Sequence, residues 1–280
     1  MASRFLVEIL ALVIVSFVVL GMVSRVRRTR WLRKWLATAT NAVMEPYGRG
    51  DYEAALQAAE GLRMNGEITR LYCYFRGANL AHLGRLDEAE AWLRRNIAMQ
   101  PKGKQRLLAV ALTTLGHLML HAGRYEEAQE CFETSMRHFP GRGSAYRSMA
   151  ELCLLRRGNP AEAMRWAKLA MDREQADRGL TAEIRKTNRG ENLAILAWST
   201  AAATHDHSEV ARLATEAVES VGASGVTSTA QVHYHLGRAY AVVGDVPASS
   251  RHYQEAGRLD SQGNWGRAAH AAMTSGTPAG

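Results

Sequence analysis

The sequence predicts an all-α chain in which one transmembrane helix precedes a solenoid of paired helices. Three observations carry this reading. Similar helix starts, most of them led by glycine, recur along the chain at steps of 34 to 47 residues, the mark of one supersecondary unit used repeatedly. Only 6 prolines occur in 280 residues, and alanine and leucine are plentiful, which leaves room for long helices. Residues 5–23, FLVEILALVIVSFVVLGMV, form an apolar run with a single charge, Glu8.

The apolar run is the first element. At about 1.5 Å per residue it spans about 28 Å, close to a hydrocarbon core of about 30 Å. It meets RVRRTRWLRK and no small-residue cleavage pattern, so a signal anchor fits better than a cleaved leader. A helix of a soluble core is rarely apolar all round for five turns. Arg25, Arg27, Arg28, Arg30, Arg33 and Lys34 follow the run, and only Arg4 and the α-amine precede it. Basic flanks stay on the cytoplasmic side. The expectation is a single-pass protein of the bacterial inner membrane with its C-terminal part in the cytoplasm. Residues 1–35 then comprise the bilayer-spanning segment and a basic juxtamembrane stretch. Trp31 and Trp35 are interleaved with those charges. Residues 25–35 either lie on anionic lipid headgroups or form a solvated lead into the first helix.

The charge pattern excludes one function class. The formal charge is +8, but seven basic residues and one acid lie at or before Lys34, against 28 and 26 after it. The excess sits beside the anchor and makes no stripe along a folded domain, so no nucleic-acid partner is expected. Cys73, Cys131 and Cys153 are widely spaced with no CxxC pair. They read as small buried apolar side chains, not a disulfide framework.

The repeats occupy 36–260. GDYEAALQAA from Gly50, GRLDEAEAWL from Gly84, GRYEEAQECF from Gly123 and GNPAEAMRWA from Gly158 each pass from glycine through an acid to alanine. GDVPASSRHY from Gly244 keeps the glycine and aspartate, and HDHSEVARLA from His205 has lost the glycine. Gly77, Gly116 and Gly237 each stand seven residues before an inter-helix glycine.

On these residues the chain resembles the tetratricopeptide-repeat (TPR) family, whose period is 34 residues. In that pattern Gly77, Gly116 and Gly237 fill the small position where the helices of a pair cross. Ala89, Ala128 and Ala163 match the conserved alanine of the second helix. Leu93, Phe132 and Ala167 match the bulky position that follows, and Pro101 and Pro140 match the closing proline. Val210 and Ser249 depart at the alanine position, while Ala256 keeps a later small one. The resemblance implies a right-handed solenoid, an open arc of five or six pairs with its concave face lined by first helices.

Three stretches exceed the pattern. Residues 93–108 contain a lengthened junction, 171–189 form a charged insertion between pairs, and 221–229 read as a flexible connector. The insertion is expected to carry a helix beyond the body, as a solvated spacer or a second binding surface. Residues 261–280 are expected to hold a capping helix near Trp265 to Met273 and a flexible tail.

No catalytic pattern stands out, and none is expected to emerge; nor is a cofactor or metal. His117 and His121 share one helix face, with His82 at the matching place in the preceding repeat, but no HExxH or Cys–His spacing supports a metal. Glu88, Glu126 and Glu127 fall in first turns of second helices, where they suit exposed amides and the helix dipole. By family register the groove takes Tyr74, Ala78, His82, Thr113, His117, His121, Tyr234 and Arg238. Of these, Tyr74, His117, His121, Tyr234 and Arg238 are the candidate partner-binding residues. The Lys/Asn/Lys/Arg set of repeats that clamp chaperone C-termini is absent. The resemblance thus implies a membrane-anchored scaffold or adaptor that binds proteins or peptides in its groove. The alternatives are a structural subunit of a permanent membrane complex and an envelope-assembly factor with extracytoplasmic repeats.

Overall fold

The computed structural model describes residues 34–274 apart from 36, 64–68, 101–102, 104, 157 and 223–224, and all its regular structure is helical. The anchor segment 5–23 lies outside the described residues, as do the basic residues up to Arg33. Among the described residues no helix is long and apolar enough to cross a membrane.

A first helix, α1 (37–48), leads into α2 (Tyr52–Ala58) and a 3-10 turn ending at Leu62. Five helical hairpins follow: α3 (Arg70–His82) with α4 (Leu86–Ala98), α5 (Gln105–His121) with α6 (Tyr125–His138), α7 (Gly143–Leu155) with α8 (Pro160–Ala176), α9 (Ala182–Thr204) with α10 (His207–Val221), and α11 (Val226–Val242) with α12 (Val246–Leu259). A last helix, α13 (Asn264–Thr274), covers the end of the stack. This meets the expected all-α solenoid and its capping helix. The connector from 221 is shorter than expected, because α11 already begins at Val226.

The turns explain the recurring glycine. Gly84, Gly123 and Gly244 have φ of +77°, +73° and +79°. Each is followed by an amide that reaches back over the helix end, as Arg85 does to the Leu80 carbonyl at 2.9 Å. That bond closes a helix on a left-handed residue, where glycine avoids the Cβ penalty. In the copy without glycine, His205 takes the same place with φ of 55°. Starts are fixed by side chains: Asp51, Thr69, Asn159, Thr181, Asp206 and Asp245 each accept a first-turn amide, which satisfies a donor the helix leaves open.

The crossing glycines pack more tightly than family register implied. A Cβ on Gly116 would lie 2.4 Å from the Phe132 ring, and one on Gly237 would lie 2.5 Å from the Tyr253 ring. Even alanine is too large at these two crossings. The alanine positions Ala89, Ala128 and Ala163 are fully buried, as are Leu93, Phe132 and Ala167. Val210 fits its alanine position without exposure. Ser249 fits because its hydroxyl donates to the Gly237 carbonyl at 2.9 Å, so the polar group is not left unpaired. The apolar faces join along the stack as overlapping clusters, which is how a hairpin too thin to hide its own face becomes stable.

The arc does not stay open. Its first turns meet its last. The Tyr52 hydroxyl donates to the Asp260 carboxylate and lies 2.9 Å from the Thr227 hydroxyl, partners 208 and 175 residues away. A Cβ on Gly225 would sit 3.4 Å from the Gly48 carbonyl. The His121 ring packs edge-on to Trp265 at 5.0 Å. The expected open groove is therefore a closed ring around a central space. The charged insertion 171–189 joins that space in part. Glu174 is buried on α8 and bonds to Asn192 Nδ2 at 2.8 Å, and Asp177 takes Arg106 at 3.0 Å. Glu174 faces Arg147 across its own hairpin, and Asp177 meets Arg106 from the hairpin before it. Glu174, Asp177 and Ile184 of the stretch line the central space, while most of its charged residues are exposed.

Candidate functional site

The ring encloses a cavity of about 480 Å³. First helices supply most of its wall. Tyr74, Ala78 and His82 come from α3, and Thr113, His117 and His121 come from α5. Those six expected groove residues do share one space. Tyr234 and Arg238 do not reach its wall. Tyr234 is buried against Trp265, with ring centroids 5.6 Å apart, and the Arg238 guanidinium lies over Trp198 at 4.9 Å. The capping helix explains the shift: Trp265 enters beside them and uses Tyr234 as a packing partner.

Charged side chains share that wall with the aromatic and imidazole rings. Arg147 is 6% exposed. It bonds to Asn192 Oδ1 at 2.8 Å, pairs with the Glu191 carboxylate and lies 3.6 Å from Glu174. Burial raises the Glu174 carboxyl to about 6, against the pull of Arg147. Behind the wall, Glu151 and His235 form a buried pair at 3.2 Å, 1% and 0% exposed. Trp198 stacks on that imidazole and Trp265 meets it edge-on. Burial works against the Glu151 charge, but His235, by charge and by its hydrogen bond, outweighs it and draws the carboxyl below its ordinary range.

His82 and His117 stay neutral over a wide range of pH. His82 stacks on Tyr52 at 4.5 Å and shares a hydrogen bond of 3.1 Å with the Tyr47 hydroxyl. Burial, with His121, Arg267 and His117 adding to it, lowers its pKa to about 3. His117 bonds to the Ser148 hydroxyl at 2.5 Å and is lowered by burial to about 4. Their ring-to-ring approach is loose, 6.5 Å between His117 and His121. Among the described residues no group of three or more His, Cys, Asp or Glu is placed to hold a metal ion. The acids of the second helices are engaged in ion pairs: Glu88 with Arg85 at 2.7 Å, Glu127 with Arg124 at 2.6 Å and Glu126 with Arg156 at 3.0 Å.

Arg142, Arg147, Glu174 and Glu191 carry the inner electrostatics, and sequence reading passed over all four. The only local signal was Gly141-Arg142-Gly143, a charge set between two glycines at a helix start.

Comparison with known proteins agrees with the hairpins. Residues 67–141 match one tetratricopeptide-repeat family model and residues 113–178 match another. The chain carries tetratricopeptide repeats in this region. No curated protein matches it. Among solved structures it is similar to BtubC from P. vanneervenii, at 18% identity over 88% of this chain and 94% of that one, with a TM-score of 0.46. YrrB, described as a TPR protein with an unusual peptide-binding site, is 14% identical over 74% and 92%, with a TM-score of 0.37. The TPR2AB domain of yeast Sti1, solved in complex with pHSP90, is 11% identical over 85% and 94%, with a TM-score of 0.33.

Proposed function

We propose that this chain is a protein-binding scaffold held at a membrane. Tetratricopeptide repeats are protein-interaction scaffolds, and the observation that carries the reading is the repeat match across residues 67–178. The closed seam limits how a partner engages. A side chain or an extended segment reaches Tyr74, His117 and His121, whereas a folded partner docks on the outer, second-helix face. The reading gives the chain no reaction of its own. The apolar segment 5–23 supplies the bilayer anchor, the basic residues of 25–35 favour anionic headgroups, and the same charges keep the repeats in the cytoplasm. Confinement to a surface raises the effective concentration of partners there.

The test is photo-crosslinking in native membranes from the full chain, with the reactive group placed at Tyr74, at His117 or at the outward Arg165. The expected result is one reproducible protein adduct from at least one position, lost in bulk when 5–23 is deleted. Absence of any protein adduct removes the scaffold reading. A deleted chain that still fractionates with membranes removes the anchor. A reporter fused after Gly280 that works only in an oxidising compartment reverses the orientation.

A further inference from the structure

The two ends of the hairpins carry opposite charge. Bond by bond, the starts of the first helices share one edge of the ring. Arg70 of α3 reaches Gln100 after α4 at 2.8 Å, and Gln105 of α5 meets His138 of α6 at 2.5 Å. Arg106 pairs with Asp177 after α8 at 3.0 Å, and Arg185 of α9 bonds to the Glu174 carbonyl at 3.2 Å. The start of α1 belongs to this edge, because Ala39 joins the cluster of Leu62 and Tyr72, whereas Tyr47 near its end meets His82 at 3.1 Å. The hairpin turns lie on the opposite edge. Among the described residues of 34–38, 60–70, 99–106, 137–143 and 172–186, ten are Lys or Arg and five are Asp or Glu. Among those of the turns, 45–53, 85–90, 124–130 and 156–162, four are basic and ten acidic. The charges left over differ in the same sense. Arg137, Arg178 and Lys186 are exposed and, among the described residues, make no ion pair. The four turn arginines are taken by Glu45, by Glu88, by Glu90 with Glu127, and by Glu126, while Glu53, Asp87 and Glu130 stand exposed. Helix dipoles account for acids at the starts of second helices. They would favour acids at the starts of first helices too, yet α3, α5 and α7 have none in the first turn. Met99, Leu107 and Ile184, three of the five exposed large apolar side chains of the described residues, stand on the basic edge as well.

We propose that this basic edge of the ring lies against an anionic lipid bilayer, with Arg137, Arg178 and Lys186 at the headgroups and Met99, Leu107 and Ile184 at the interface. Basic side chains within a Debye length of such a surface are drawn to it, and exposed apolar side chains add to the hold. The tether points the same way. Ten residues, 24–33, separate the apolar segment from Lys34, and ten residues reach at most about 35 Å. The edge at which α1 begins is therefore held close to the bilayer, and the acidic edge is turned away from the negative surface. The proposal rests on the anchor reading of 5–23 for that tether, while the charge asymmetry stands without it.

The test uses the full chain reconstituted into vesicles of phosphatidylglycerol and phosphatidylcholine that carry a nitroxide on the headgroup. A fluorescent amino acid replaces Ala182 on the basic edge or Ala161 on the turn edge, both exposed. Quenching at 182 is expected to exceed that at 161 by about threefold or more. The excess is expected to shrink in phosphatidylcholine alone, at high salt, and in the double variant Arg178→Gln with Lys186→Gln. Equal quenching at the two positions overturns the proposal and leaves the basic edge to an acidic protein partner. Stronger quenching at 161 overturns it too. So does an excess at 182 that neither neutral lipid nor the double variant changes, since the tether alone would then set the orientation. Release of the chain by alkaline carbonate refutes the anchor and not the edge. The same contrast is then read on chain added to preformed vesicles, where its presence supports the edge and its absence overturns it.

Discussion

At the residue scale, conformation and burial override identity. His205 holds a left-handed backbone that costs a non-glycine residue about 1 kcal/mol or more. It is exposed, and among the described residues its ring has no hydrogen bond or ring contact that would compensate. His205→Gly is therefore expected to raise stability by about 0.5–1 kcal/mol, part of the gain being offset by the freer unfolded chain. Urea unfolding checks this: the midpoint rises at unchanged slope, and an unchanged or lower midpoint would show that the imidazole does something the backbone angle conceals. His205 was legible as a lost glycine. Its φ was not, because the positive value is imposed by the hairpin closing around it and not by the residue.

At the element scale, the sign of a glycine-to-alanine change depends on what the Cβ meets. In an isolated helix the change stabilises by up to about 1 kcal/mol. Gly257 sits in α12 with nothing within 4 Å of a Cβ, so Gly257→Ala is expected to gain about 0.5–1 kcal/mol. Gly116 sits in α5 against the Phe132 ring, so Gly116→Ala is expected to lose about 1–3 kcal/mol through overpacking. Thermal unfolding of the two variants side by side decides the matter, and a shared sign would refute the crossing argument. These helices were legible because their signals are local: glycine at the turn, acid in the first turn, alanine five residues after the glycine. The insertion 171–189 was not. Its charge density looks solvated in sequence. Glu174 and Asp177 are instead met by Arg147 and Arg106, and that last partner lies 71 residues from Asp177.

At the scale of the whole molecule, closure is the property the sequence concealed most fully, since Tyr52, Thr227 and Asp260 each read as ordinary repeat positions and only the summed turn of every hairpin brings them together. The seam that results is sensitive to acid, and the sign follows from its histidines. His82 and His117 are held neutral in the folded chain to about pH 3 and 4, whereas free imidazole takes its proton near pH 6.5. Between those values the unfolded chain binds more protons, so stability falls as pH drops below about 6.5 and the loss is spent only when the folded imidazoles also protonate. Each contributes about 1–2 kcal/mol of loss by pH 5. Glu174, raised to about 6 by burial, works in the opposite direction between its unfolded and folded values, while His121, His233 and His252 are lowered as well, so the imidazoles outweigh it. Because His82 stacks on Tyr52, which holds Asp260 across the seam, its protonation strains the contact that closes the ring. Denaturant unfolding at pH 7.5 and 5.0 should show a marked drop, and small-angle scattering at pH 5.0 should show a larger radius of gyration before the helices melt. His82→Gln should flatten the pH slope, and Tyr52→Phe should lower stability by about 1–3 kcal/mol at both pH values by leaving the buried Asp260 short of a donor. A slope that survives the loss of His82 would place the acid sensitivity elsewhere in the ring.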